Sequence, residues 1–268
     1  MYTGQRELTV GKELKKIHRQ EVRLTKKAMK PRPPGTISQL EEKIPEKIQS
    51  ALESAFCKVF CVLVENEIAS DIFTYGIKNH DLLHKFYFQD SDFQLMGKRS
   101  ALGKMRNSFN TSKYKYLVLS AVEGGGFGTL GIGLPDIAIF STLLLKSAYE
   151  VASRYGFNYR LPEERYFVLK AIQTSVSTGD AWKSGNKELN RIIDGSYSID
   201  TSPESLHRQA AETGKVLAHE ILFWKFIQGI PVVGIAGGLS NPVYYQRIIN
   251  FVHLKYRKRY LCQLIDRK

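Results

Sequence analysis

Only three cysteines occur in the 268 residues, too few and too irregularly spaced for a disulfide framework. Such scarcity suits a reducing compartment. Cys57 and Cys61 are four apart and share one face of a helix, while Cys262 is remote. The pair reads as two small buried hydrophobes, with a redox or metal role as the alternative. Alternating strand patterns are scarce as well, which leaves an all-α reading. No apolar segment follows the basic N-terminus, so no secretory signal is expected. Long uncharged runs are rare. The exception is Phe226 to Gln246, which lies between Lys225 and Arg247 and is long enough to cross a bilayer. It contains Pro231, Asn241, Pro242 and four glycines, which fits a buried or re-entrant pair of half-helices better than a clean span.

The chain has no acidic excess to offset its basic ends, and the formal net charge is +13. Residues 1–32 hold ten Lys and Arg against three acids, and residues 247–268 hold seven against one. The remainder balances at 22 of each sign. Two basic arms on a neutral body favour an anionic partner, or serve only as solvated ends. No nucleic-acid motif is present, and aromatic and basic residues do not interleave into a stacking platform, so no nucleic acid is expected.

Helical spacing organises most of the chain. Residues 7–30 read as a basic helix, broken by Pro31-Arg32-Pro33-Pro34-Gly35. This break divides an N-terminal helix and linker, 1–35, from a helical domain, 36–268. Ile48, Ala51, Leu52, Ala55, Phe56, Val59 and Phe60 predict a helix with one buried face over 46–64. Residues 71–88 include His80 and His84, whose spacing begins many zinc sites. However, Asp81 follows the first histidine and no third ligand has recognisable spacing, so no metal is expected. A strong helix covers 137–155, with Gly156 as its C-cap. Pro162, Glu163 and Glu164 open another, with acids at the positive end of its dipole. A short helix and turn fill 178–197. A long helix over 203–226 carries His207 and His219, and a last one starts near Pro242.

Six of the ten residues from Gly124 to Gly133 are glycine. Gly126-Phe127-Gly128-Thr129-Leu130-Gly131 fits the dinucleotide fingerprint, and Tyr116–Val122 before it could pass as a strand. No second strand follows near residue 150, and no lysine follows any glycine of the run. A Rossmann unit and a P-loop are both disfavoured, and no cofactor is expected. Two other uses remain. Glycines let helix backbones approach closely, with Gly234, Ala236, Gly237 and Gly238 as the matching half. The flanking apolar stretches, broken by Gly and Pro, also suit shallow insertion into an anionic bilayer.

The order of these features resembles the EcsC protein family. The first motif is the glycine run with Gly133, Leu134, Pro135 and Asp136, then Tyr155-Gly156 and Pro162-Glu163-Glu164. The second is Gly229-Ile230-Pro231-Val232-Val233-Gly234 with Gly237, Gly238 and Asn241. The likeness extends over about 40–262, with the basic helix and Pro-rich linker as the divergent part. It implies a bacterial, mostly helical protein associated with membrane or transport processes. It implies no reaction and carries over no catalytic residue.

The expected fold is therefore all-α, a compact multi-helix bundle with two Gly-rich apolar segments packed at its centre. The expected function is a lipid- or protein-binding role at a membrane surface, linked through the family to transport or secretion. The expected place is cytoplasmic, peripheral at the inner membrane. Partners are then an anionic membrane surface or a membrane protein, and a homo-oligomer is allowed. The candidate groove comprises the motif residues above, from Gly126, Gly128 and Gly131 to Asn241. The alternative is an enzyme with a polar site around Asp136, partnered by His207, His219, Glu163, Glu164 or Asn241. Asp136 as N-cap of a helix beginning at Ile137 is the simpler role for that carboxylate.

Overall fold

A computed structural model describes residues 2–31, 45–65, 79–106, 134–227 and 242–266. Among these residues there are nine helices and no strand. They are α1 (Tyr2–Ala28), α2 (Glu46–Glu65), α3 (Asn79–Met96), α4 (99–106), α5 (Leu134–Arg154), α6 (Pro162–Val176), α7 (Gly179–Ile193), α8 (Pro203–Ile227) and α9 (Pro242–Asp266). The fold is all-α. Both Gly-rich segments, at 124–133 and 229–238, lie outside the described residues, as does the Pro-rich linker.

Two boundaries differ from the sequence reading in ways that matter. Helix α3 runs to Met96, eight residues past the expected end, because Phe93 adds a fully buried anchor to Leu82 and Phe86. Helix α5 begins at Leu134. Asp136 therefore sits inside its first turn and does not occupy the N-cap before Ile137. The other end of α5 closes as expected. Gly156 has φ +82°, its N–H bonds to the Ser153 carbonyl, and the Phe157 N–H reaches back to Ala152 at 3.0 Å. This is a Schellman ending, which needs a left-handed residue. The Phe86 ring fills the space that a Cβ on residue 156 would occupy.

Helices α2 and α8 form the most extensive pairing of the fold. They run antiparallel, with Cys57 opposite Ala211 and Cys61 opposite His207. Gly214 permits the close approach. A Cβ there would stand 2.8 Å from Phe56 C and Cys57 N, both backbone atoms that cannot swing aside. Phe56 and Phe60 fill the seam and are fully buried, and Phe56 meets Phe140 of α5 edge-on.

Helix α9 lies against α1, α5, α6 and α7. Its residues 255–260, Lys-Tyr-Arg-Lys-Arg-Tyr, bind buried carboxylates on three other helices. The Lys255 ammonium, with no solvent exposure, donates to Glu21 of α1 at 2.5 Å and to Asn190 of α7 at 2.9 Å. Lys258 donates to the same two residues at 2.8 and 3.0 Å. Arg257 pairs with Glu13 of α1, which also takes Lys16 at 2.6 Å and Arg99 of α4 at 3.0 Å. Arg259 forks both oxygens of Glu164 in α6 at 2.7 and 2.9 Å, and Tyr256 donates to the same carboxylate at 3.0 Å. Tyr260 donates to Asp90 of α3 at 2.7 Å.

Helix α1 is thus a working part of the bundle. Val10 and Ile17 are buried beside Glu13 and Glu21, Thr9 donates to the Gly97 carbonyl, and Arg6 donates to the Leu264 carbonyl. The cations of 255–259, expected to face an external anion, are instead occupied by carboxylates of the same chain.

These contacts set the response to acid. Burial raises the Glu21 carboxyl, but Lys255 and Lys258 outweigh it and leave it below its ordinary value of 4.5. Burial likewise raises Glu13, and Lys16, Arg257 and Arg99 bring it below the same value. A depressed carboxylate contributes stability that is complete above its unfolded value and is lost as pH falls through the folded one. Glu164 acts in the opposite sense, because burial holds it above 4.5 despite Arg259 and Tyr256.

Two outcomes follow. Gly214→Val forces α2 and α8 apart and should lower unfolding free energy by about 1–3 kcal/mol in urea titration. Glu21→Gln should flatten the loss of stability below pH 4.5, measured as the urea midpoint between pH 7 and pH 3. A midpoint that falls as steeply in the variant as in the parent would remove Glu21 from the acid response.

Candidate functional site

The same faces of α1 and α9 that hold the ion pairs open at one end into a cavity of about 620 Å³. Helix α1 contributes Arg23 and Lys27, four residues apart and on one face. Helix α9 contributes Arg247 and Arg257, and Arg106 enters from the end of α4. Among the described residues five cations thus surround the cavity, and no Asp or Glu lines it. Its wall is mixed, with Gln20, Ser175, Gln246 and Asn250 beside one apolar patch. Trp182 of α7 meets Phe251 of α9 edge-on at 6.3 Å, with Leu24 and Leu254 beside them. Trp182 and Phe251 are almost fully buried, whereas Arg23, Lys27 and Arg106 are exposed.

Arg257 is the cation of the five that an internal acid holds, through Glu13. Among the described residues no carboxylate pairs with Arg23, Lys27, Arg106 or Arg247. With no acid among the described lining residues to offset them, these charges add to one another, and the apolar patch beside them weakens screening. The arrangement can bind an anion with an apolar portion. It offers no carboxylate base for proton transfer.

Of the residues singled out in the sequence, Tyr155 reaches this place. Its hydroxyl is 2.8 Å from Nε2 of His253, which lines the cavity. Burial raises the Tyr155 phenol well above its ordinary value, so it stays protonated and holds His253 by a hydrogen bond. Gly156 serves the helix ending and the Phe86 contact. Glu163 is half-buried beside the cavity-remote Glu164, which is the buried acid of the pair.

Of the partners expected for Asp136, both histidines have carboxylate neighbours among the described residues. His207 pairs with Glu65 of α2 at 2.5 Å and is largely exposed. His219 lies 3.7 Å from its neighbour Glu220. Side-chain contacts of Leu134, Pro135 and Asp136 lie outside the described residues. So do Gly126, Gly128, Gly131, Gly133, Pro231, Gly234, Gly237, Gly238 and Asn241 altogether. His80 and His84 are both exposed and stack on one another, with ring centroids 6.4 Å apart.

Cys57 and Cys61 are half-buried and free, facing α8. Burial pushes the Cys61 thiol up to about 11, with the Glu65 carboxylate adding to the shift. Its sulfur lies near the His207–Glu65 pair, and the three side chains offer ligand atoms all within 4.8 Å of one another. No sequence spacing linked His207 to the Cys61–Glu65 turn, because the pairing depends on the register between α2 and α8.

Among the described residues no helix is long and apolar enough to cross a membrane. The sequence model of the EcsC protein family matches residues 9–261. The match begins inside α1, so the basic helix is shared with the family and the likeness is longer than the 40–262 inferred from the motifs. The curated Protein EcsC of Bacillus subtilis (strain 168) is 29% identical over 129 residues, 47% of this chain and 51% of that protein. The chain spans about half the length of that relative. No solved structure gives a significant match. With nearly its whole length inside the family match, this chain belongs to the EcsC protein family.

Proposed function

We propose that this protein docks on an anionic membrane surface and takes a phosphate-bearing lipid headgroup into the cavity between α1 and α9. The observation that carries the proposal is the ring of Arg23, Lys27, Arg106, Arg247 and Arg257, with no acid among the described lining residues, beside the apolar patch of Trp182, Phe251, Leu24 and Leu254. A phosphate meets the guanidinium groups, which are suited to bidentate contact, and an attached apolar chain meets Trp182 and Phe251. The outer face of α1 supports the same orientation. Val22 and Met29, seven apart, are 39% and 41% exposed among Arg19, Arg23, Lys26 and Lys30. An amphipathic surface of this composition suits the headgroup boundary of a bilayer. Membrane attachment is then peripheral, on the anionic cytoplasmic leaflet. A link to transport or secretion rests on the family likeness alone.

Co-sedimentation with phosphatidylglycerol and phosphatidylcholine vesicles at low and high salt tests this function. Binding should require the anionic lipid and weaken with salt. Arg23→Gln with Arg247→Gln should weaken it by about thirtyfold, taking ~1 kcal/mol for each charge near the surface. Glycerol phosphate in solution should compete if the cavity takes the headgroup itself. Equal binding to both vesicles, or an unchanged double variant, would overturn the proposal.

A further inference from the structure

The start of α8 and the end of α2 bring together three donors of the kinds that hold zinc. We propose that Cys61, Glu65 and His207 form a binding site for a zinc-class divalent cation. It is separate from the basic cavity, and none of its residues lines that cavity. Cys61 and Glu65 are one turn apart on the same face of α2, and the antiparallel register places His207 of α8 against them. The ligand atoms, Sγ, a carboxylate oxygen and a ring nitrogen, all lie within 4.8 Å of one another.

The donor set selects the metal. A thiolate and an imidazole together favour zinc over magnesium or calcium, which prefer oxygen. Zinc bonds of about 2.0–2.3 Å place tetrahedral ligands roughly 3.3–3.8 Å apart. Closing the set to that size needs side-chain rotation and no helix movement, since His207 and Glu65 are 61% and 39% exposed. The sulfur, half-buried in the seam, supplies the fixed end. Three protein ligands leave the fourth position to water. The charges also balance: thiolate and carboxylate together carry two negative charges against the two positive charges of the ion. On binding, the Cys61 thiol releases its proton to solvent, His207 coordinates as neutral imidazole, and the present His207–Glu65 hydrogen bond gives way to two metal bonds. The site then joins α2 to α8 at the Glu65 end of the seam, beginning one turn of α2 beyond the Gly214–Cys57 contact.

The test uses the full chain, stripped with chelator and titrated with Co²⁺ as a spectroscopic stand-in for Zn²⁺. A sulfur-to-cobalt charge-transfer band and the intense visible bands of tetrahedral cobalt should appear, and Zn²⁺ should displace both. Cys61→Ser should abolish the charge-transfer band, while Cys57→Ser and Cys262→Ser should retain it. His207→Ala should weaken Co²⁺ binding by at least about tenfold, the lower end of the loss seen for groups one shell further out. His207 is exposed, so this variant decides the matter even if Cys61→Ser fails to fold. Absence of the charge-transfer band in the parent chain, its survival in Cys61→Ser, or unchanged affinity in His207→Ala would overturn the site.

Discussion

Buried carboxylates on three helices are held by six consecutive residues of a fourth, and the arrangement of the bundle depends on that fact. Glu13 and Glu21 of α1, Glu164 of α6 and Asp90 of α3 are all at most 6% exposed. An ionised carboxylate in such a place is strongly disfavoured unless it is paired and hydrogen-bonded. Residues Lys255 to Tyr260 supply the partners: Lys255, Arg257 and Lys258 turn to α1, Tyr256 and Arg259 to α6, and Tyr260 to α3. Burial pulls the Lys255 ammonium down to about 8 against the opposing pull of Glu21. Lys255 therefore tolerates its place only because Glu21 and Asn190 both meet it. A buried pair of this sort contributes little relative to an apolar one, yet losing one partner costs about 3–5 kcal/mol. Its consequence is selection of one packing: α1, α3, α6 and α7 can each dock on α9 in one register.

That internal use of charge decides what remains for the outside. The formal excess of +13 is concentrated at the chain ends, but much of the C-terminal share is consumed within the bundle. Among the described residues the outer face of α1 and four of the cavity cations, Arg23, Lys27, Arg106 and Arg247, have no carboxylate partner in the bundle's ion pairs with α9. A diffuse basic arm would attract any polyanion. A ring of cations beside an apolar patch is more selective, because both halves of a ligand must fit at once.

The helices were legible because their apolar spacing is strong and their ends carry recognisable signals. Pro162 with two acids marks the start of α6, and Gly156 marks the end of α5. The family was legible from the order of its glycine motifs. The ion-pair network was not read from the sequence. Glu13 and Glu21 fall on the same stripe as Val10, Ile17 and Ala28, but the net charge of the helix led to a reading of it as a basic arm. Their partners on α9 lie more than 230 residues away in sequence, and nothing local in Lys255–Arg259 identifies which helix each will meet. The cavity was hidden for the same reason. Its wall is assembled from faces of α1 and α9 and single residues of α4, α6 and α7, and no motif spans them. Cys61 and Glu65 are close in sequence, but His207 joins them only through helix register.

Arg257 ties the network to the cavity, and this bears on how the site would work. The guanidinium lines the cavity and also pairs with Glu13, which already holds Lys16 and Arg99. Three cations share one carboxylate, so Glu13 neutralises only part of the local charge. An anion entering the cavity therefore competes little with the seam. It can approach Arg257 while Glu13 keeps Lys16 and Arg99, and it gains most from Arg23, Lys27, Arg106 and Arg247. Because α1 and α9 each contribute two of the five cations, a bound anion would also bridge the two helices from the open end. Binding and folding would then favour the same docking of α1, and α1 would be held more firmly when the cavity is filled.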